Sequence, residues 1–167
     1  NAVKKRVIGT TERPIACLLS GGLDSSLIAG LVNQEFKYNN IYPDKKLKTF
    51  SIGMPGSEDL KYAKIVSNYL DTDHHEIIVN EDDFFNSIPE VIKAIESYDT
   101  TTVRASVGNY LVAKYIKENT DCKVIFNGDY ADEVCGGYKY FKKTMSDTDF
   151  HNECVRLVND IHFFDCL

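Results

Sequence analysis

Apolar residues in this chain fall into short unbroken runs separated by stretches of helical spacing. Ile15-Ala16-Cys17-Leu18-Leu19 follows Pro14 with no polar alternation, which predicts a strand buried on both faces, as in a parallel sheet. Leu47 to Ile52, His75 to Val79 and Cys122 to Phe126 repeat the pattern. Between them, Leu27, Ile28, Leu31 and Val32 recur at helical spacing, and so do Leu60, Ala63, Val66 and Leu70. Tyr62, Ile65 and Tyr69 form a second apolar face on the latter helix, which predicts that it is well buried. Ser57 and Asp59 are its candidate caps.

The remaining elements follow the same logic. Asn1 to Gly9 predicts a short opening helix, and Lys37 to Lys46, with Asn39-Asn40 and Pro43, a polar loop. Asp82 to Ser97 predicts a helix that can break at Pro89. Another helix is expected to be capped by Thr101 or Thr102, with Val107, Leu111 and Tyr115 on one stripe. Asn127 to Gly137 reads as a loop rich in glycine and acids. A last helix, Asp149 to Asp165, carries Val155, Val158, Ile161 and Phe163. Strands alternating with helices predict an α/β fold: a doubly wound, mostly parallel sheet with flanking helices, Rossmann-like. Ligands of such sheets bind outside the carboxyl ends of the strands. Two loops there carry chemistry, Ser20 to Ser26 and Asn127 to Glu133.

Composition narrows the function. The 167 residues suit one domain, and 43% hydrophobic with 26% charged residues is enough to bury a core. Lys plus Arg is 19 against 25 Asp plus Glu, a net charge of -6, which disfavours a nucleic-acid binder working through a basic face. No apolar run approaches the roughly 18 residues that span a bilayer. The charged opening, Asn1 to Arg6, lacks the hydrophobic stretch of a secretory leader. The five cysteines contain no CxxC pair, and their odd number and wide spacing point to reduced structural thiols and the cytoplasm. The histidines show no metal spacing. The chain stops at Leu167 within an apolar stretch, so a longer polypeptide is expected.

Leu19-Ser20-Gly21-Gly22-Leu23-Asp24-Ser25-Ser26 is the most informative segment. Paired glycines permit a sharp turn and close approach to an anion. The hydroxyls of Ser20, Ser25 and Ser26 are candidate phosphate donors, and the following helix start adds N–H groups and its dipole. Asp24 would repel a phosphate unless a divalent cation bridges them, which implies Mg²⁺. No GxxxxGK[ST] loop is present, so the usual equipment for γ-phosphoryl transfer is missing.

This segment resembles the pyrophosphate loop of the N-type ATP pyrophosphatases, of the adenine nucleotide alpha hydrolase type. Within that superfamily the chain is similar to the start of the synthetase domain of glutamine-hydrolysing asparagine synthetases. The similarity is carried by LLSGGLDSS, Met54-Pro55-Gly56-Ser57 with Asp59-Leu60-Lys61, His74-His75-Glu76, Tyr98 to Ser106 and Gly128 to Tyr138. It implies ATP bound through the loop, Leu19, Ile52, Asn127 and Gly128, with Asp132 sharing Mg²⁺ with Asp24. Plain core burial is the alternative at Leu19 and Ile52. Thr101 and Arg104 are implied to bind aspartate or to stabilise charge during adenylation. Asp129 stands where the family has a glutamate that handles the ammonia proton, and Tyr130 and Ala131 replace a glycine and a serine. His74, His75 and Glu76 have no implied chemical duty and are expected to make internal hydrogen bonds.

The implied reaction is amidation of aspartate through β-aspartyl-AMP, releasing AMP and pyrophosphate, with ammonia supplied from glutamine. The family's glutaminase domain begins with a nucleophilic cysteine, and a later lysine also takes part. Neither is found in these residues, so incomplete activity is expected of the 167 residues alone. No nucleic-acid or membrane partner is expected, and a homodimer is left open for the full-length protein. Another adenylating ligase, β-lactam synthetase-like, a non-catalytic nucleotide-binding module and a purely structural scaffold stay open as alternatives.

Overall fold

The apolar runs become strands and the periodic stretches become helices. The computed structural model describes residues 1–41 and 45–165, with side chains as far as residue 160. The order is α1 (Ala2–Ile8), β1 (Ile15–Leu18), α2 (Leu23–Tyr38), β2 (Lys48–Gly53), α3 (Glu58–Leu70), β3 (Asp73–Ile78), α4 (Glu81–Ile95), α5 (Thr100–Asn119) and β4 (Val124–Phe126). The strands form one sheet in the order β3-β2-β1-β4, every pair parallel. Register runs Cys17 opposite Thr49 and Phe126, so the carboxyl ends of β2, β1 and β4 share an edge.

Alternation along each strand supplies two cores. Ile15, Cys17 and Leu47 pack with Val7 of α1, Val32 of α2 and Ala63 of α3. Ala16, Phe50 and Ile77 pack on the other side with Val112 and Ile116 of α5. Val91 of α4 joins Val103 and Val107 of α5 in a third cluster. Helices on both faces make the sheet doubly wound, as the pattern predicts. Cys17 and Cys122 are buried free thiols, and burial pushes the Cys17 thiol up to about 12. It therefore packs as a small hydrophobe.

Two local expectations change, and one left open is decided. α3 turns Leu60, Ala63 and Ser67 inward, while Tyr62, Ile65 and Tyr69 are exposed, Tyr69 by 87%. α2 likewise buries Ala29, Val32, Asn33 and Phe36 and exposes Leu27 and Leu31. Each of these helices has one sheet to lie on, and apolar residues occur on both sides of it, so periodicity alone does not choose the covered face. α4 runs unbroken through Pro89. An interior proline costs about 3 kcal/mol. It is offset by the packing of Phe84, Ile88 and Val91 and by a capping box in which Asn80 Oδ1 accepts from Asp83 N–H at 2.9 Å and Asp83 Oδ2 from Asn80 N–H at 2.8 Å. Ser57 precedes α3 as its N-cap residue with no side-chain cap bond, and Asp59 lies in the first turn.

His74 makes the internal hydrogen bonds expected of it. Its Nδ1 shares a 2.9 Å bond with Thr49 Oγ1 and its Nε2 a 3.1 Å bond with Ser51 Oγ. Thr49 Oγ1 also bonds Thr72 Oγ1 at 2.9 Å, completing a polar chain between β2 and β3. Burial holds the His74 imidazole below the ordinary histidine value, against the opposing pull of Glu76. The folded state therefore binds fewer protons than the unfolded one in that window. The stabilisation is complete above the ordinary value and is lost as pH falls through the folded one. Urea unfolding at pH 7.5 and pH 5.5 should show stability dropping on acidification in the parent and dropping less in His74→Asn. Equal drops would remove His74 as the cause.

Residues 129–167 form a second compact unit, separate from residues 1–128. It holds α6 (Ala131–Cys135), a 3-10 turn (Lys139–Lys143) and α7 (Asp147–Asp165). The predicted Asn127–Gly137 loop thus contains a short helix. The Phe141 and Phe150 rings meet at 5.0 Å, and Gly136, at φ 63°, caps α6 against Phe150. Val155 and Val158 on α7 are exposed. Pro43, Cys166, Leu167 and the side chains of Ile161 and Phe163 lie outside the described residues.

Candidate functional site

β1 leaves the sheet at Leu18, and the chain turns within four residues. The Leu19 N–H donates to the Phe50 carbonyl at 2.8 Å, and its side chain, 1% exposed, belongs to the core. Gly22, extended at φ -69° and ψ 167°, is the N-cap residue of α2 with no side-chain cap bond. Asp24, Ser25 and Ser26 therefore sit in the first helical turn, whereas the glycines and serines had suggested one loop from Ser20 to Ser26. A glycine cap leaves first-turn N–H groups without a side-chain acceptor, which favours an anion at the positive end of the helix dipole.

The hydroxyls divide the work. Ser25 Oγ accepts from the Ser20 N–H at 3.2 Å, shares a 3.0 Å bond with Ser20 Oγ and donates to the Gly22 carbonyl at 3.3 Å. Ser20 Oγ accepts from the Gly22 N–H at 3.3 Å. These bonds tie the turn to itself. Ser26 Oγ is buried with no hydrogen-bond partner. A buried unsatisfied hydroxyl costs about 1–3 kcal/mol. An oxyanion would satisfy it, so the turn fits a phosphate group.

Two glycines explain how tightly the turn is held. Gly21 has φ 83°, and a Cβ there would stand 2.5 Å from Ala63 N and from Tyr62 C and Cβ. Gly128, just past β4, would place a Cβ 2.7 Å from Ser25 N and 2.8 Å from Asp24 C. The turn is therefore closed in by α3 and by the end of β4, and Gly128 packs against the start of α2. The sequence did not mark Tyr62 and Ala63 as neighbours of the turn. Its only signal was a small residue, Ala63, on the sheet-facing line of α3.

Ile52 lies near the carboxyl end of β2, partly buried on the α5 side. Asn127 follows β4 directly. Thr101 and Arg104 are exposed in the first turns of α5 at the predicted spacing. The cap is Asp99 instead of either threonine: its Oδ2 accepts from the Thr102 N–H at 2.6 Å and from Thr102 Oγ1 at 2.7 Å. A carboxylate is the stronger acceptor at a positive helix end, and the Thr102 N–H holds Asp99 below the usual carboxylate range. Among the described residues Arg104 has no ion-pair partner, and neither has Asp24.

In the second unit, Asp129 opens the segment and Asp132 lies in the first turn of α6. Tyr130 holds φ 70°, a conformation that costs a side-chain-bearing residue about 1–2 kcal/mol. A glycine would adopt it freely. Tyr138 OH donates to Glu133, which pushes the phenol up to about 12 and the carboxyl down. Among the described residues no three His, Cys, Asp or Glu side chains gather into a metal cluster. A divalent ion here would need substrate oxygens as ligands, the usual arrangement for Mg²⁺ on a triphosphate.

Residues 1–158 match the asparagine synthase family model. The chain is 48% identical over 168 residues to the glutamine-hydrolysing asparagine synthetase of Mus musculus and 46% identical to that of Homo sapiens. Each alignment covers 100% of this chain and 29% of the relative, so the chain spans under a third of their length. In three dimensions it is similar to the NH3-dependent NAD synthetase of Campylobacter jejuni, with a TM-score of 0.50 and 19% identity over 82% of this chain and 56% of that one. The NMN synthetase of Francisella tularensis gives 0.50 and 12% over 82% and 58%. At these identities the structural likeness speaks for the shared fold.

Proposed function

The chain belongs to the asparagine synthase family, and we propose that it is the ATP-handling part of a glutamine-hydrolysing asparagine synthetase. The observation that carries this reading is the closed turn after β1, whose helix-start N–H groups and unpartnered Ser26 hydroxyl suit a diphosphate. Aspartate's side-chain carboxylate attacks the α-phosphorus of ATP, the bond to the bridging oxygen breaks, and pyrophosphate leaves as β-aspartyl-AMP forms. The turn's donors, with Ser20 and Ser25 holding its shape, stabilise the charge that gathers on the departing group, where preorganised dipoles are most effective.

Ammonia derived from glutamine then displaces AMP to give asparagine. Thr101 and the unpaired guanidinium of Arg104 bind the aspartate or neutralise charge during adenylation. Asp129 accepts a proton from ammonia; being one methylene shorter than glutamate, it depends on backbone placement for reach. Leu19 contributes through its main chain, since its side chain is core. Ile52 and Asn127 border the nucleotide, and Gly128 keeps the β4 end close to the turn. Asp24 and Asp132 are the carboxylates the family resemblance offers for Mg²⁺, which would neutralise phosphate charge. The four described cysteines are free thiols, which fits a reducing, cytoplasmic setting.

Pyrophosphate release by the full-length protein tests the reading. Release should require aspartate over other carboxylates, and asparagine should form with either glutamine or ammonium. Release driven equally by an unrelated carboxylate would assign a different ligase, and no release with any would leave a non-catalytic nucleotide module.

A further inference from the structure

α3 does more than cover the sheet. Its N-terminal half presses on two strand ends at once. A Cβ on Gly53, the last residue of β2, would meet Leu60 Cγ at 3.0 Å and Ser57 Cβ at 3.1 Å. One turn further on, the Tyr62–Ala63 backbone stands directly behind Gly21. A helix backbone reaches van der Waals contact with a neighbouring turn only if the side chain between helix and sheet is small. That side chain is Ala63, 0% exposed and packed in the cluster with Cys17, Leu19 and Ala29.

We propose that Ala63 is a positioning residue for the turn: its small size brings the α3 backbone up behind Gly21, and that wall keeps the Ser20–Ser26 donors aimed at the diphosphate. This rests on the reading of the turn as a diphosphate cradle. A larger side chain would hold α3 off the sheet. Gly21, whose left-handed conformation is supported from that side, would then have room to move. Binding would have to order the turn anew, and that ordering lowers affinity with every charge still present.

The test measures two quantities on the full-length protein carrying Ala63→Leu, Ala63→Val or Ala63→Ser: affinity for inorganic pyrophosphate with Mg²⁺, and amide exchange of residues 20–25 without ligand. Val112→Ala, a core change on the opposite face of the sheet, supplies a destabilised control. Ala63→Leu should weaken pyrophosphate binding about tenfold or more and speed exchange of the turn, Ala63→Val less so, because preorganisation is lost. Ala63→Ser should match the parent. Val112→Ala should lower the melting temperature with pyrophosphate affinity unchanged within about twofold. If Ala63→Leu folds too poorly to measure, Ala63→Val decides. Unchanged exchange of the turn in the larger variants, or an equal affinity loss in Val112→Ala, would overturn the proposal. A parent protein with no pyrophosphate affinity would refute the cradle reading instead, and exchange would then judge the bracing by Ala63 alone.

Discussion

Gly21→Ala should lower pyrophosphate release by about a hundredfold and destabilise the fold by about 2–5 kcal/mol, the sum of a left-handed conformation forced on a residue with a Cβ and an overpacked contact. The Cβ would lie 2.5 Å from the Ala63 nitrogen and from the Tyr62 carbonyl carbon. Both are helix backbone, which has no rotamer with which to give way. Either α3 or the turn must shift, and a displacement of about 1 Å at a reacting group costs roughly a hundredfold in rate. Gly56 separates the two causes. It has nearly the same φ, 80°, yet a Cβ there meets nothing within 4 Å. Gly56→Ala should therefore lose only the conformational part, about 1–2 kcal/mol, and keep its activity. Urea unfolding and pyrophosphate release, run on both variants, read the difference. Equal stability losses in the two would show that the close approach at Gly21 has no energetic weight.

Asp24→Asn should give the opposite signature, a nearly intact fold and a failed reaction. The substitution keeps shape and removes one charge from the first turn of α2. Its effect on stability is the lost carboxylate–dipole attraction, about 0.3–1 kcal/mol. Its effect on pyrophosphate formation should be on the order of a hundredfold to a thousandfold, because a carboxylate that holds the metal stabilises charge developing on the departing phosphates. The sign of ATP binding without metal discriminates further. With Mg²⁺ chelated, Asp24 faces the triphosphate uncompensated, so Asp24→Asn should bind ATP more tightly than the parent. With Mg²⁺ present the order should reverse. A variant that is weaker under both conditions would mean that Asp24 shapes the turn and does not serve the metal.

The two variants probe different levels of organisation, and those levels differ in how openly the chain displays them. The charge at Asp24 and its place among serines and glycines are local. The constraint on Gly21 comes from Tyr62 and Ala63, some forty residues away, and nothing near position 21 announces it. Gly128 behaves alike. The resemblance to the family implies that it touches nucleotide, but its spatial neighbours are Asp24 and Ser25 of a distant element. At Gly21 the sharp turn was recognisable and the partner of its close approach was not; at Gly128 the close approach itself went unmarked.

Errors at the level of single elements have the same origin. Tyr62, Ile65 and Tyr69 line one side of α3 as regularly as Leu60, Ala63 and Ser67 line the other, and the spacing of apolar residues cannot say which side meets a sheet. Thr101 and Thr102 adjoin the periodic stretch of α5, so spacing alone favours them over Asp99 as its cap. In the folded chain the Asp99 carboxylate outcompetes both hydroxyls for the Thr102 N–H. The helix expected over Asp82 to Ser97 forms, and of the two courses open at Pro89 it takes the unbroken one, because the apolar face of α4 against α5 outweighs the bond the proline removes.

Read alone, the residues determined the order of strands and helices, the parallel sheet, and the glycine turn after β1 with Asp24 close behind it. These follow from short-range causes: unbroken apolar runs, helical periodicity and the backbone freedom of adjacent glycines. Tertiary structure decided which helix faces are covered, that His74 bridges Thr49 and Ser51, and that Gly21 and Gly128 are packed against α3 and α2. Those outcomes depend on pairs of residues far apart in the chain, whose meeting is set by packing the elements together.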